Sequence, residues 1–264
     1  MPAAEPPTEG GPPRLALGDD GVATLTLSRP RHLNRLHRED LKALQVHFAQ
    51  LAAHPAVRVL VLTGSGRAFC AGYHLGEFDQ GDAAAHDDPR LFERTVDALE
   101  ALPLPTVARL NGSVYGGATD LALACDFRIG VQGMELRMPA ARLGLHYYPS
   151  GLQRYVTRLG LGAAKRLFLL AQAVDAQELM RIGYLDEAVA AEQLDDAVQR
   201  VVAALAGNAP LAVAGMKRSL NEVAAGRADV DELQRRVAQC AASADLREGL
   251  AAFAARRDPR FTGR

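Results

Sequence analysis

Residues 57–64, VRVLVLTG, carry an unbroken apolar run from Val59 to Leu62 and stop at Gly64. A strand with one wet face alternates apolar and polar residues, whereas a continuous apolar run needs cover on both faces. Just upstream, HREDLKALQVHFAQLAA sets Leu41, Leu44, Phe48 and Leu51 at helical spacing and stops at His54-Pro55. Before that, GVATLTLSRP reads as a strand closed by Pro30. The three segments make a β-α-β unit, and the pattern recurs. RLFERTVDALEAL predicts a helix ended by Pro103 and Pro105, TVARLNG a strand, GGATDLALACD a helix and FRIGV a strand. Strands alternating with helices imply parallel pairing and an α/β core.

Beyond about residue 160 the periodicity turns helical. It runs through LGAAKRLFLLAQ, AQELMRIG, EQLDDAVQRVVAALAG and PLAVAGMKRSLNEVAA to one long stretch, DVDELQRRVAQCAASADLREGLAAFAARR. Three segments are expected: a proline-rich disordered tail over 1–13, a core domain over 14–200 and a helical region over 201–264. The polar stretch DQGDAAAHDDP (79–89) predicts a mobile loop above whatever lies beneath it. At 264 residues and 48% hydrophobic content the chain can bury one substantial core.

Thirty basic residues against thirty-one acidic ones leave a formal charge of −1, so no global field favours nucleic acid or an anionic membrane. Three distant cysteines fit neither a disulfide framework nor a zinc cluster, and no metal site is expected. No run reaches the roughly 18 apolar residues of a membrane span. MPAAEPPTEGGPPR lacks the apolar core of a signal peptide. A cytoplasmic location is the expectation.

Two strand-to-loop junctions are alike: LVLTGSGRAFCAGY, and VARLNGSVYGGATDLALACD, where Gly116-Gly117 opens a helix. Glycines at such junctions let backbone approach a ligand, and two sets of N–H groups side by side can hold an oxyanion. Cys70 lies in the apolar part of the first junction, without a local His, and reads as packing. Ser113 and Ser150 stand outside any G-x-S-x-G elbow.

Five segments in order resemble those of the crotonase superfamily, the enoyl-CoA hydratase/isomerase family, over about residues 14–264. They are SRPRHLNRL, GSGRAFCAGYHL, NGSVYGGATDLALACDFRI, MPAARLGLHYYPSGLQRYVTRLG and the closing EGLAAFAARRDPRFTGR. The resemblance implies a ββα spiral with a C-terminal helical oligomerisation region, assembled as a trimer or a dimer of trimers. It implies an acyl-CoA thioester substrate, with coenzyme A as part of the substrate and no permanently bound cofactor. Carried over residue by residue, the thioester oxygen would meet the N–H groups of Tyr73 and Gly117. Adenine and pantetheine would be bordered by Arg31, Asn34, Leu36, Ala68, Ala71, Gly72, Leu75 and Gly116.

Hydratases of that family carry two glutamates. Here Asp120 stands at the first place and Ala140 at the second, so the acid–base pair is broken. Asp120 lies one helical turn beyond Gly117 and is the candidate base. The cluster Arg142, His146, Tyr147 and Tyr148 is where a replacement group is sought, with His146 and Tyr147 as the catalytic candidates and a pocket wall or subunit contact as the plainer reading. His74 replaces the family's common Asp and leaves room for a second carboxylate on the substrate. Lys217, Arg218, Arg256 and Arg257 read as solvated charges or, by the resemblance, as partners for CoA phosphates. Isomerisation or hydration of an enoyl-CoA is the expected reaction. Decarboxylation of a malonyl-type CoA, and a CoA-ester-binding protein that has lost catalysis, remain open.

Overall fold

The computed structural model describes residues 10–74, 76 and 88–264. Its strands are β1 (Gly11–Leu17), β2 (Val22–Ser28), β3 (Val59–Gly64), β4 (Thr106–Leu110), β5 (Val114–Tyr115), β6 (Phe127–Val131), β7 (Glu135–Arg137), β8 (Val174–Asp175) and β9 (Glu187–Val189). Its helices are α1 (Arg38–Ala53), α2 (Leu91–Glu100), α3 (Ala118–Ala124), α4 (Pro149–Lys165), α5 (Ala176–Arg181), α6 (Leu194–Ala206), α7 (Pro210–Ala224), α8 (Val230–Ala242) and α9 (Ala244–Ala255).

A six-stranded sheet runs in the order β1-β2-β3-β4-β6-β9, parallel throughout except for the antiparallel β1–β2 edge. A smaller sheet, β5-β7-β8, stands beside it. Every residue of β3 is buried, as its unbroken apolar run requires. Successive side chains of a strand point to opposite faces, and the two faces of β3 feed different cores. Leu60 and Leu62 pack into the main core with Leu41, Leu44, Phe48 and Leu51 of α1. Val59 and Val61 join Val107, Ile129 and the α6 residues Leu194, Ala197, Val198 and Val202.

Two expectations about the ends of the chain change. Residues 11–13, assigned to the tail, belong to β1, where Pro12 and Pro13 sit beside an irregularity in the β1–β2 register. Proline is tolerated there because β1 is an edge strand and an edge leaves N–H positions unneeded. The long helical stretch at the C-terminus divides into two helices. Ser243 adopts extended backbone (φ −70, ψ 153), and its hydroxyl accepts from Leu246 N at 3.0 Å, capping α9. The expected loop at 79–89 lies outside the described residues except for Asp88 and Pro89.

Asn34 fastens the loop before α1 to the end of β3. Its side-chain amide donates to the carbonyls of Ser65 (2.8 Å), Ala68 (2.9 Å) and Phe69 (3.1 Å), and its oxygen accepts from Arg29 N at 2.9 Å. Its backbone is left-handed (φ +56), a conformation Asn tolerates better than most residues. Asn34→Ala is expected to cost about 3 kcal/mol, since it orphans buried backbone groups and forces Ala into a left-handed conformation. A denaturant midpoint equal to that of the unaltered protein would refute this role.

Candidate functional site

The two glycine-bearing junctions lie against each other. Cys70 and Val114 form a parallel bridge, with Tyr115 N donating to Cys70 O at 3.0 Å and Phe69 N to Ser113 O at 3.2 Å. Past that bridge the junctions stay close, and Gly72, the residue before Tyr73, lies beside Gly117 N. On its other side Tyr73 is bridged to Leu36, whose N–H donates to Gly72 O and whose carbonyl accepts from His74 N, both at 2.8 Å. Gly72 is left-handed (φ +89), and a Cβ there would stand 2.6 Å from Tyr115 O and 3.2 Å from Gly117 N. Only glycine allows the two junctions this close.

Just past Gly117, α3 is buried along its whole length. Tyr184 donates to Thr119 O at 2.7 Å, and Thr119 bonds Gly116 O at 2.7 Å and the Tyr155 hydroxyl. Between these anchors Asp120 is completely buried. Its Oδ2 accepts from Arg154 Nη1 at 2.7 Å and from the Tyr148 hydroxyl, while its Oδ1 has no partner among the described residues. Burial pushes this carboxyl above the usual aspartate range, against the charge of Arg154 and the hydrogen bond from Tyr148.

Arg154 is itself buried and pairs with three carboxylates: Asp120, Asp97 at 2.8 Å and Glu100 at 3.0 Å. Glu100 also meets Arg158 at 3.0 Å. Burial alone would raise Glu100, yet the two arginines hold it below the usual glutamate range. On its far side, Arg154 faces a cleft of about 1550 Å³ lined also by Asp97, Glu100, Lys217 and Arg236. Tyr73, Gly117 and Tyr148 do not line that cleft.

Aromatic rings roof the junctions. Phe92 of α2 lies 5.9 Å from the Tyr73 ring and 6.0 Å from the Tyr148 ring, and its edge would be 2.6 Å from a Cβ on Gly117. Tyr147 stacks on Tyr148 at 4.3 Å and donates to its hydroxyl at 3.3 Å. Gly151 makes room for both, since a Cβ there would lie 2.8 Å from the Tyr148 ring.

Of the predicted residues, Tyr73, Gly72, Gly116, Gly117 and Asp120 come together, and Tyr147 reaches Asp120 only through Tyr148. His146 does not join them. It is exposed, with Nδ1 on its neighbour's carbonyl, Tyr147 O, at 2.8 Å. Asn34 spends its side chain on the structural contacts above, and Leu36 is buried in the main core, so neither offers a side chain to a ligand. Ala68 is buried with its carbonyl on Asn34 and Asn111, Ala71 donates to Leu33 O at 2.8 Å, and Arg31 is exposed in a short 3-10 helix over Pro30–His32. Leu75 lies outside the described residues. Lys217, read as a surface charge, is buried with Nζ on Leu104 O at 2.9 Å and Asp126 at 2.8 Å. Burial raises the Cys70 thiol to about 12, which suits packing and not attack.

Sequence reasoning missed Arg154 altogether. The signal was present: the α4 segment PSGLQRYVTRLGLGAAK holds Arg154 and Arg158 one turn apart with no acid of its own, so their partners had to come from another element. It also missed Glu93, a buried carboxylate held below the usual range by Arg90 at 2.7 Å and engaged by Ser150 at 3.3 Å.

The close approach of the junctions separates two glycines. Gly72→Ala is expected to cost about 3 kcal/mol, combining left-handed strain with a backbone clash. Gly116→Ala, at φ +54 with open space around the added carbon, is expected to cost about 1 kcal/mol. Equal shifts of the two denaturation midpoints would contradict this packing.

Residues 18–264 match the family model described as enoyl-CoA hydratase/isomerase. Crotonyl-CoA hydratase of Syntrophomonas wolfei is 30% identical over 249 residues, covering 92% of this chain and 95% of that protein. The 1,2-epoxyphenylacetyl-CoA isomerase of Escherichia coli is 31% identical over 253 residues, covering 93% and 97%. Among solved structures, enoyl-CoA hydratase from Bacillus anthracis superposes with a TM-score of 0.87 at 28% identity, covering 96% of this chain and 100% of that one. By its motifs, its fold and these similarities, the chain belongs to the enoyl-CoA hydratase/isomerase family of the crotonase superfamily and is an enzyme of that family.

Proposed function

We propose that the enzyme takes an acyl-CoA thioester, holds its carbonyl oxygen on the backbone N–H groups of Tyr73 and Gly117, and uses Asp120 as its single carboxylate base. The observation that supports this reading is the close approach of the two junctions, with Gly72 beside Gly117 N and Asp120 one turn into α3. Two donors fixed in a water-poor site stabilise the enolate oxygen that forms when a proton leaves the neighbouring carbon, and each is worth about 3 kcal/mol in the transition state. Coenzyme A enters as part of the substrate, along the loops of residues 31–36 and 68–72.

Hydration in this family is expected to use two carboxylates, but the second place is Ala140, buried with its carbonyl on Leu145 N at 2.9 Å. The groups on Asp120 are a phenol and a guanidinium. One base that removes and returns a proton suffices for shifting a double bond, so isomerisation is the favoured reaction.

Self-association is part of the proposal. The outer faces of α8 and α9 leave Val237 70%, Leu250 63% and Phe253 85% exposed, apolar surface that a trimer would cover. Leu250→Asp with Phe253→Asp is expected to yield a monomer by light scattering at unchanged helical content. A mass unchanged by both substitutions would refute that interface.

The chemistry is tested by deuterium uptake from D₂O into saturated, 2-enoyl, 3-enoyl and malonyl-type CoA esters, read by mass spectrometry. The 3-enoyl ester is expected to exchange and isomerise, with at least a hundredfold loss in Asp120→Asn. Loss of carbon dioxide from the malonyl ester in both proteins would assign decarboxylation instead. Binding of every ester without exchange would mark a binding protein.

A further inference from the structure

We infer that Asp120 works through Oδ1 alone, with Tyr148 and Arg154 as positioning residues that lock Oδ2. This rests on the reading of Asp120 as the base. The carboxylate is asymmetric: two donors crowd Oδ2, the Tyr148 hydroxyl and Arg154 Nη1 at 2.7 Å, while Oδ1 is as deeply buried and has no partner among the described residues. A buried acceptor left unpaired costs stability, and native structures rarely keep one without a use. The use that fits is a proton arriving with the substrate.

Both donors are themselves held. Arg154 spends its other nitrogens on Asp97 and Glu100 of α2, and Tyr148 is fixed by its stack on Tyr147. Oδ2 therefore cannot rotate into the place of Oδ1 without breaking contacts to two elements. A proton taken by Oδ1 is not handed on to Oδ2. In a 3-enoyl thioester, Oδ1 takes the α-proton, and the C–H electron pair moves toward the thioester oxygen as a dienolate. The same Oδ1–H then goes to the γ-carbon as the double bond settles between the α- and β-carbons. No atom is gained or lost, and Tyr148 keeps its proton throughout.

Tyr148 acts by favouring the ionised carboxylate. The groups facing Asp120 are Tyr148, Tyr147, Tyr155 and Arg154 from α4 and its lead-in, Asp97 and Glu100 from α2 through Arg154, and Tyr184, which bonds Thr119 O. Removing the Tyr148 hydroxyl removes a donor to the charged form, so Asp120 must gain protons at higher pH. Tyr148→Phe keeps the ring that stacks on Tyr147. Replacing Tyr148 with 3-fluorotyrosine makes a stronger donor and provides the opposite perturbation.

The experiment is the pH profile of kcat/KM for 3-enoyl-CoA isomerisation in these two variants, in Asp120→Asn and in the unaltered enzyme, with label retention measured in D₂O. In Tyr148→Phe the acid limb is expected about one pH unit higher, so that activity below the limb falls about tenfold while KM stays put. The fluorotyrosine enzyme shifts the limb down, and part of the product keeps its original proton at the γ-carbon. An unmoved acid limb in both variants, or loss of rate at every pH in folded, ester-binding Tyr148→Phe, would overturn the positioning role. Full activity in Asp120→Asn would instead remove the base assignment on which it rests.

Discussion

A carboxylate with no exposed surface carries a desolvation cost, and here Arg154 offsets part of it. The cost of burying one ion is several kcal/mol, and a partner recovers it only with good geometry and further hydrogen bonds. Arg154 meets both conditions by bonding Asp120 with one nitrogen and Asp97 and Glu100 with the others. Three helices are thereby tied together at one guanidinium: α2 through its acids, α3 through Asp120 and α4 through Arg154. The alignment of the rest of the site, from Phe92 over Gly117 to the tyrosines at the start of α4, follows from that tie.

The backbone half of the site depends on a different constraint, which is the absence of side chains. Gly72 has a conformation and a proximity to Tyr115 and Gly117 that a Cβ would destroy. Asn34, buried and left-handed, holds the loop under those junctions by bonding carbonyls at the end of β3 and the start of the first junction. Its side-chain amide is committed to these structural bonds. An amide with each of its polar atoms already bonded inside the protein has nothing left for a cofactor.

The parallel core was legible because β3 is apolar at consecutive positions and its neighbours alternate with helices of clear period. The junctions were legible because glycine clusters punctuate strand ends, and Asp120 because it sits one turn beyond them. What was not legible depends on long-range partnership. Proline hid β1, whose edge position tolerates it. The break at Ser243 disappeared into helix-forming neighbours, because a serine cap leaves the surrounding periodicity intact. Arg154 and Lys217 looked like surface charges because a sequence displays a side chain's charge but not the acid or carbonyl that buries it. His146 and Tyr148, two residues apart, differ in role because only Tyr148 is directed toward α3, and that follows from the start of α4 at Pro149.

In the proposed reading, Ala140 at the second carboxylate's place and Tyr148 on Asp120 belong to one arrangement. Two ionised carboxylates close together repel, so a paired site must keep one of them protonated or admit water between them. A phenol beside Asp120 imposes no such repulsion: its proton lies on Oδ2 and favours the charge it touches. The same hydroxyl is backed by Tyr147, and the Tyr148 ring lies 6.0 Å from that of Phe92. On the proposed reading, Asp120 in this aromatic setting moves a substrate's own proton and does not deliver water. On that reading, a phenol on Asp120 and no second carboxylate together favour proton relocation over hydration.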